Sequence, residues 1–125
     1  MKDTDTATRI LVVEDDPTIQ RVIELCLKKN ADQIDLRGDG DSGLAAARDL
    51  NPDLVILDIA LPGIDGWEVL RRLRTGEQDR VAVLILTAVA GPESRMRAED
   101  DGADAFLTKP FHPKDLRAAV DRLCS

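Results

Sequence analysis

Apolar positions follow two alternating rhythms along the chain. Nearly unbroken aliphatic runs occupy Ile10 to Val13, Ile34 to Leu36, Leu54 to Leu57, Val81 to Leu86 and Ala105 to Leu107, with helical spacing between them. The runs begin roughly 20 to 27 residues apart, too far for hairpins and right for strand–helix units. Parallel strands follow, and the continuously apolar central runs predict a sheet covered by helices on both faces. Two stripes show the faces that the helices bury: Ile19, Val22, Ile23, Cys26 and Leu27, and Leu116, Ala119, Val120, Leu123 and Cys124. Their i, i+3, i+4, i+7 spacing places each stripe against the sheet. Pro17 and Pro113 suit the first helical position, where a missing N–H costs nothing. Asp16 then becomes an N-cap. The segment from Pro92 to Gly102 is the weakest helix, because only Met96 and Ala98 anchor it and Glu99, Asp100 and Asp101 oppose its dipole.

A length of 125 residues suits one domain. Residues 1–8 are expected to be a loose N-terminal segment, with the domain over 9–125. A net charge of -7 argues against direct binding to nucleic acid or an anionic membrane, both of which need clustered Lys and Arg. No apolar run reaches the roughly 20 residues of a transmembrane helix, and the start lacks a signal-peptide centre, so a cytoplasmic protein is expected. Cys26 and Cys124 are read as small buried hydrophobes, with a disulfide as the minority reading if their helices are neighbours. His112, the only histidine, fits a helix start better than a metal site.

Charge also sharpens one stretch, Val12 to Pro17, where two β-branched residues run into Glu14, Asp15 and Asp16. Two carboxylates ~5 Å apart repel by roughly 3 kcal/mol at an effective dielectric of about 20. N-capping accounts for Asp16 alone. Glu14 and Asp15 follow the first strand, Asp58 the third, Thr87 the fourth and Lys109 the fifth. Ligands of open parallel sheets bind beyond the carboxyl ends of strands where their order reverses. In the order 2-1-3-4-5 with right-handed crossovers, strands one and three are neighbours about 4.8 Å apart. Asp15 and Asp58 then share a space, and Lys109 is long enough to cross two strands. Carboxylates, one ammonium and one hydroxyl suit Mg²⁺ and a phosphoryl group, with Asp58 the candidate nucleophile.

These residues resemble the receiver domains of two-component response regulators. The resemblance runs through "ILVVEDDP", "LVILDIALPGIDGWEVL", "VLILTA" and "GADAFLTKPF" in order, covering nearly the whole chain. It implies a flavodoxin-like doubly wound sheet of five parallel strands with five helices on two faces, so the order 2-1-3-4-5 stands on the resemblance as well as on the pattern. It further implies Asp58 as phospho-acceptor, Asp15 as a direct Mg²⁺ ligand, Glu14 as its companion acting largely through water, and the Ala60 carbonyl as a third contribution. Mn²⁺ is an admissible substitute. Thr87 and Lys109 match the switch hydroxyl and the lysine before a commonly cis Pro110, and Phe106 matches the aromatic switch position. The partners implied are a histidine kinase or histidine phosphotransfer protein, and a downstream protein at the face of the fourth helix, fifth strand and fifth helix. Phosphorylation-dependent homodimers are compatible with this. The protein is then a switch and no enzyme beyond its own phosphorylation and dephosphorylation. Without an output domain after Ser125, signalling is expected to pass to another molecule unless the chain is a fragment.

Departures from the family pattern add expectations. Leu61 stands where many members have methionine, a conservative change. Ala60 and Val89 offer no side chain to hold an attacking water, which predicts slow self-dephosphorylation. Glu99 and Asp101 stand where apolar residues are frequent, in keeping with a loose fourth helix. Two rivals are weaker. Gly38 to Gly43, "GDGDSG", satisfies G-x-G-x-x-G, yet Asp39 and Asp41 would repel a pyrophosphate, and turn glycines explain it better. A flavodoxin-like carrier needs stacking aromatics and a phosphate loop, where this chain has acids and no tyrosine. A phosphorylation-independent binding module of the same fold is the remaining alternative, and the complete set of acids, threonine and lysine counts against it.

Overall fold

A computed structural model of the chain describes residues 8–76, 80–88 and 91–124. Elements alternate throughout: β1 (Arg9–Val13), α1 (Pro17–Cys26), β2 (Gln33–Arg37), α2 (Gly40–Leu50), β3 (Leu54–Leu57), α3 (Gly66–Thr75), β4 (Ala82–Thr87), α4 (Pro92–Asp100), β5 (Ala105–Thr108) and α5 (Pro113–Cys124). The strands form one parallel sheet in the order β2-β1-β3-β4-β5. The five apolar runs are therefore the five strands, displaced by a residue at some ends: β1, β2, β4 and β5 each take in at least one flanking polar residue, and β4 begins one residue after Val81.

Alternation along the strands builds two cores. Leu11, Val13, Val55, Leu57, Val83 and Ile85 meet residues of α2, α3 and α4 on one face. Ile10, Val12, Leu54, Ile56, Leu84 and Leu86 meet Ile23 and Leu27 of the α1 end and Leu116 and Val120 of α5 on the other. Burying each such aliphatic side chain contributes about 1.5–3 kcal/mol, which is why strand register is firmly set.

The helix starts follow the capping chemistry. Asp16 accepts from Thr18 N at 2.8 Å and Ile19 N at 3.4 Å, with Pro17 opening the helix. His112 Nδ1 accepts from Lys114 N at 3.1 Å at the start of α5. Cys26 and Cys124 are half-buried thiols against the same core, on helices that are neighbours.

Several details differ from the sequence reading. Thr8 belongs to the fold, since its N–H donates to Asp32 Oδ2 at 2.6 Å and its carbonyl accepts from Asp32 N at 2.8 Å; the rest of the expected loose segment lies outside the described residues. Val22 is 38% exposed and Met96 61% exposed, so neither is an anchor. Val22 stands at the rim of the α1 stripe, and α4 touches the sheet side through Ala98 alone among its buried residues. Gly40 and Gly43 lie inside α2. An added Cβ would stand 2.0 Å from the Ile64 carbonyl oxygen at Gly40 and 2.6 Å from Val13 Cγ1 at Gly43. These glycines serve close packing, which an absent side chain permits in a helix as well as in a turn.

Candidate functional site

Each strand of the central set delivers its polar residue to one edge of the sheet. Val13 pairs with Leu57 and Leu57 with Ile85, so the residues that follow β1 and β3 emerge side by side. Asp58 N–H donates to Val13 O at 3.0 Å, carrying the pairing one step past the strands. Lys109 N–H donates to Thr87 O at 2.8 Å, which sets the lysine stem beside the end of β4. The Lys109–Pro110 peptide is cis, as the resemblance implied.

The side chains converge. Lys109 Nζ donates to Asp58 Oδ2 at 3.0 Å and also to Glu14 Oε1. Glu14, Asp15 and Asp58 each offer a carboxylate oxygen within 4.8 Å of the others. Glu14 and Asp58 are buried, at 2% and 4% exposure, whereas Asp15 is exposed. At an effective dielectric of ~20, carboxylates this far apart repel by roughly 3 kcal/mol, and an ammonium at hydrogen-bond distance attracts each by about 5 kcal/mol. Desolvation of several kcal/mol per ion offsets much of that gain. One lysine thus holds two acids near balance, and the third faces solvent.

Local structure fixes these acids. Glu14 Oε2 accepts from Asp16 N at 3.1 Å, and Glu14 N donates to Arg37 O at 3.0 Å. Asp58 Oδ1 accepts from Ala60 N at 3.3 Å. Burial pushes the Glu14 carboxyl above its ordinary value, against the pull of Lys109 and the Asp16 N–H. For Lys109, burial acts downward, but its hydrogen bonds to Glu14 and Asp58 and their charges outweigh it, so the ammonium titrates above its usual range.

Thr87 and Phe106, the expected switch positions, lie on β4 and β5. Thr87 is fully buried at the end of β4. Phe106 is 8% exposed in the core facing α4, and the Arg95 guanidinium lies 4.9 Å from its ring centroid. Ala60 is exposed beside Asp58, and Val89 lies outside the described residues.

Sequence reasoning missed three supporting residues. Gly66, within an Asp65–Gly66 pair that reads as a turn, is the first residue of α3 and lies directly under the Asp58 carbonyl. Gln20 donates to the Glu14 carbonyl in the acidic loop and to the Arg37 carbonyl at the end of β2. Arg74 ties α3 to Gly102, Val81 and Asp104 at the opposite end of the sheet. No local pattern marks the last two, because their partners lie on other elements of the fold.

A carboxylate trio with oxygens this close suits a hard divalent ion, which takes oxygen ligands and retains waters. The donor set fits Mg²⁺ and excludes soft-metal ligation, since no His or Cys joins it among the described residues.

Comparison with known proteins agrees with this geometry. Residues 10–121 match the family model described as response regulator receiver domain. Among curated relatives, the DNA-binding response regulator MtrA of Mycolicibacterium smegmatis is 40% identical over 112 residues, 90% of this chain and 48% of that protein. The DNA-binding dual master transcriptional regulator RpaA of Synechocystis sp. is 39% identical over 116 residues, 92% of this chain and 48% of that protein. The chain therefore spans about half the length of these relatives. The chemotaxis response regulator CheY4 of Vibrio cholerae has a similar structure, with a TM-score of 0.86 at 28% identity, covering 94% of this chain and 99% of that one.

Proposed function

Because the chain belongs to the response regulator receiver domain family, we propose that Asp58 accepts a phosphoryl group from a phosphohistidine on a histidine kinase or histidine phosphotransfer protein. The observation that carries this reading is the Lys109 ammonium hydrogen-bonded to both Glu14 and Asp58, with Asp15 beside them. A carboxylate oxygen of Asp58 forms the new bond to phosphorus as the phosphorus–nitrogen bond to imidazole breaks, and the departing nitrogen keeps the electron pair. Lys109 stays within reach of the acyl phosphate and balances charge on its oxygens. Glu14, Asp15, Asp58 and the Ala60 carbonyl would hold Mg²⁺. When bound, the ion neutralises negative charge on the phosphoryl oxygens.

Phosphorylation replaces the single negative charge of the Asp58 carboxylate with an acyl phosphate that carries about -1.5 to -2 charges next to Lys109. Thr87 then supplies a hydroxyl to a phosphoryl oxygen, and its movement changes the space open to Phe106. The face of α4, β5 and α5 changes with it and presents a different surface to a downstream protein or a second copy. The relatives MtrA and RpaA, about twice this length, are DNA-binding regulators by name; the contact of this chain itself is with protein, given its net charge of -7.

Incubation with acetyl phosphate or phosphoramidate and Mg²⁺, followed by intact mass, is expected to yield one phosphoryl adduct that Asp58→Asn loses. With Ala60 beside the acceptor offering no side chain to orient water, the adduct should outlast seconds. An unchanged mass in wild type would return the chain to a phosphorylation-independent module of the same fold.

A further inference from the structure

The three acids are not equally secured. Glu14 is held by Lys109 and the Asp16 N–H, and Asp58 by Lys109 and the Ala60 N–H. The Asp15 carboxylate makes no hydrogen bond or ion pair with any described residue. Its position therefore depends on the backbone that carries it, namely the peptide unit joining Glu14 C=O to Asp15 N.

Among the described residues, one side chain is hydrogen-bonded to that peptide. Gln20, in the first half of α1, donates from Nε2 to Glu14 O at 2.6 Å and to Arg37 O at 3.4 Å. Arg37 O also accepts the Glu14 N–H at 3.0 Å. Both acceptors are carbonyls, so only the amide NH₂ can face them, and its two N–H groups match the two acceptors. The stem of Gln20 is fixed in turn, because its own N–H donates to Asp16 O at 2.9 Å within the capped first turn. The side chain thus spans the end of β1, the end of β2 and the start of α1.

We propose that Gln20 is a positioning residue for the metal: by holding the Glu14 carbonyl it aims the Asp15 carboxylate into the space shared with Glu14 and Asp58. Loss of that bond frees the Glu14–Asp15 peptide to rotate and turns the exposed acid toward solvent, while the buried pair stays on Lys109. Groups that orient a metal ligand typically account for 10–100-fold in affinity. The lower end applies, because Gln20 orients one carboxylate of three. This inference rests on the metal reading given above.

The test is a Mn²⁺ titration followed by the free-ion electron paramagnetic resonance signal, with Mg²⁺ competition, on wild type, Gln20→Met and Gln20→Arg. Methionine keeps the stem and removes both donors. It should weaken Mn²⁺ binding about tenfold, with the thermal midpoint in chelator close to that of wild type. Arginine returns N–H donors to the same carbonyls and should recover most of the affinity at high ionic strength, where its charge is screened. Binding by Gln20→Met within twofold of wild type overturns the proposal. So does a joint fall of midpoint and affinity that Gln20→Arg does not repair, which would make Gln20 a packing residue. Wild type failing to bind Mn²⁺ would instead defeat the metal reading itself.

Discussion

A Cβ added at Gly66 would stand 2.3 Å from the Asp58 carbonyl oxygen and 2.6 Å from Ile59 Cα. Both neighbours are backbone, so neither can swing aside as a side-chain tip would. The Gly66 N–H also donates to Ile59 O at 2.9 Å, fastening α3 beneath the segment that carries Asp58. Gly66→Ala is therefore expected to destabilise the fold by about 1–3 kcal/mol, the usual range for overpacking. It should also slow adduct formation by acetyl phosphate in protein that remains folded, because the displaced segment bears Asp58, the proposed acceptor. Urea unfolding and timed mass spectrometry check the two halves. A substitution with unchanged stability would show that the β3–α3 junction has more room than these distances allow.

At the scale of elements, α3 and α4 contrast. Asp65 caps α3, and Glu68 binds Arg71 and Arg72, with Arg72 Nε 2.7 Å away. The Arg71 and Arg72 hydrogen bonds hold the Glu68 carboxyl at about 2, against an ordinary 4.5. A depressed folded value means that the fold prefers the carboxylate, so this contribution is full above pH 4.5 and disappears as pH falls toward 2. Glu68→Gln should flatten that part of the stability–pH curve, measured by denaturant unfolding at stepped pH; the effect is small because the pair faces solvent. Helix α4 has no side-chain cap at Gly91, buries Ala98 alone and ends in three acids, with Arg97 lying 3.6 Å from Asp101 and stacking on Trp67 at 4.4 Å. Few buried contacts mark a low-stability element. Hydrogen exchange over residues 92–102 is expected to change more than elsewhere when a beryllofluoride mimic is added, and equal protection would remove α4 from the switch.

At the scale of the molecule, the acids gathered at one sheet edge would couple folding to the proposed metal. A ligand bound only by the folded chain adds RT ln(1 + [L]/Kd), about 2.7 kcal/mol at a hundred times Kd. The thermal midpoint should rise steadily with Mg²⁺ concentration in wild type and stay level in Asp15→Asn. Asp15 is exposed and unengaged among the described residues, so its replacement leaves the metal-free fold intact. Differential scanning fluorimetry across a magnesium series reads both curves.

Local sequence determined what depends on neighbours along the chain. Five aliphatic runs dictated five strands, their spacing dictated parallel crossovers, and Asp16, Pro17 and Pro113 dictated helix starts, because periodicity and capping act within a few residues. The identities of Glu14, Asp15, Asp58, Thr87 and Lys109 at strand ends were legible for the same reason. Tertiary structure alone decided how they are held: which acids lie buried on the ammonium, that Gly40 and Gly43 admit close backbone and side-chain approach, that Gly66 underlies Asp58, that Val22 and Met96 face water, and that Gln20 reaches the Glu14 carbonyl. Those contacts join different elements of the fold, and their energies depend on distances of a few tenths of an ångström that only the folded chain sets.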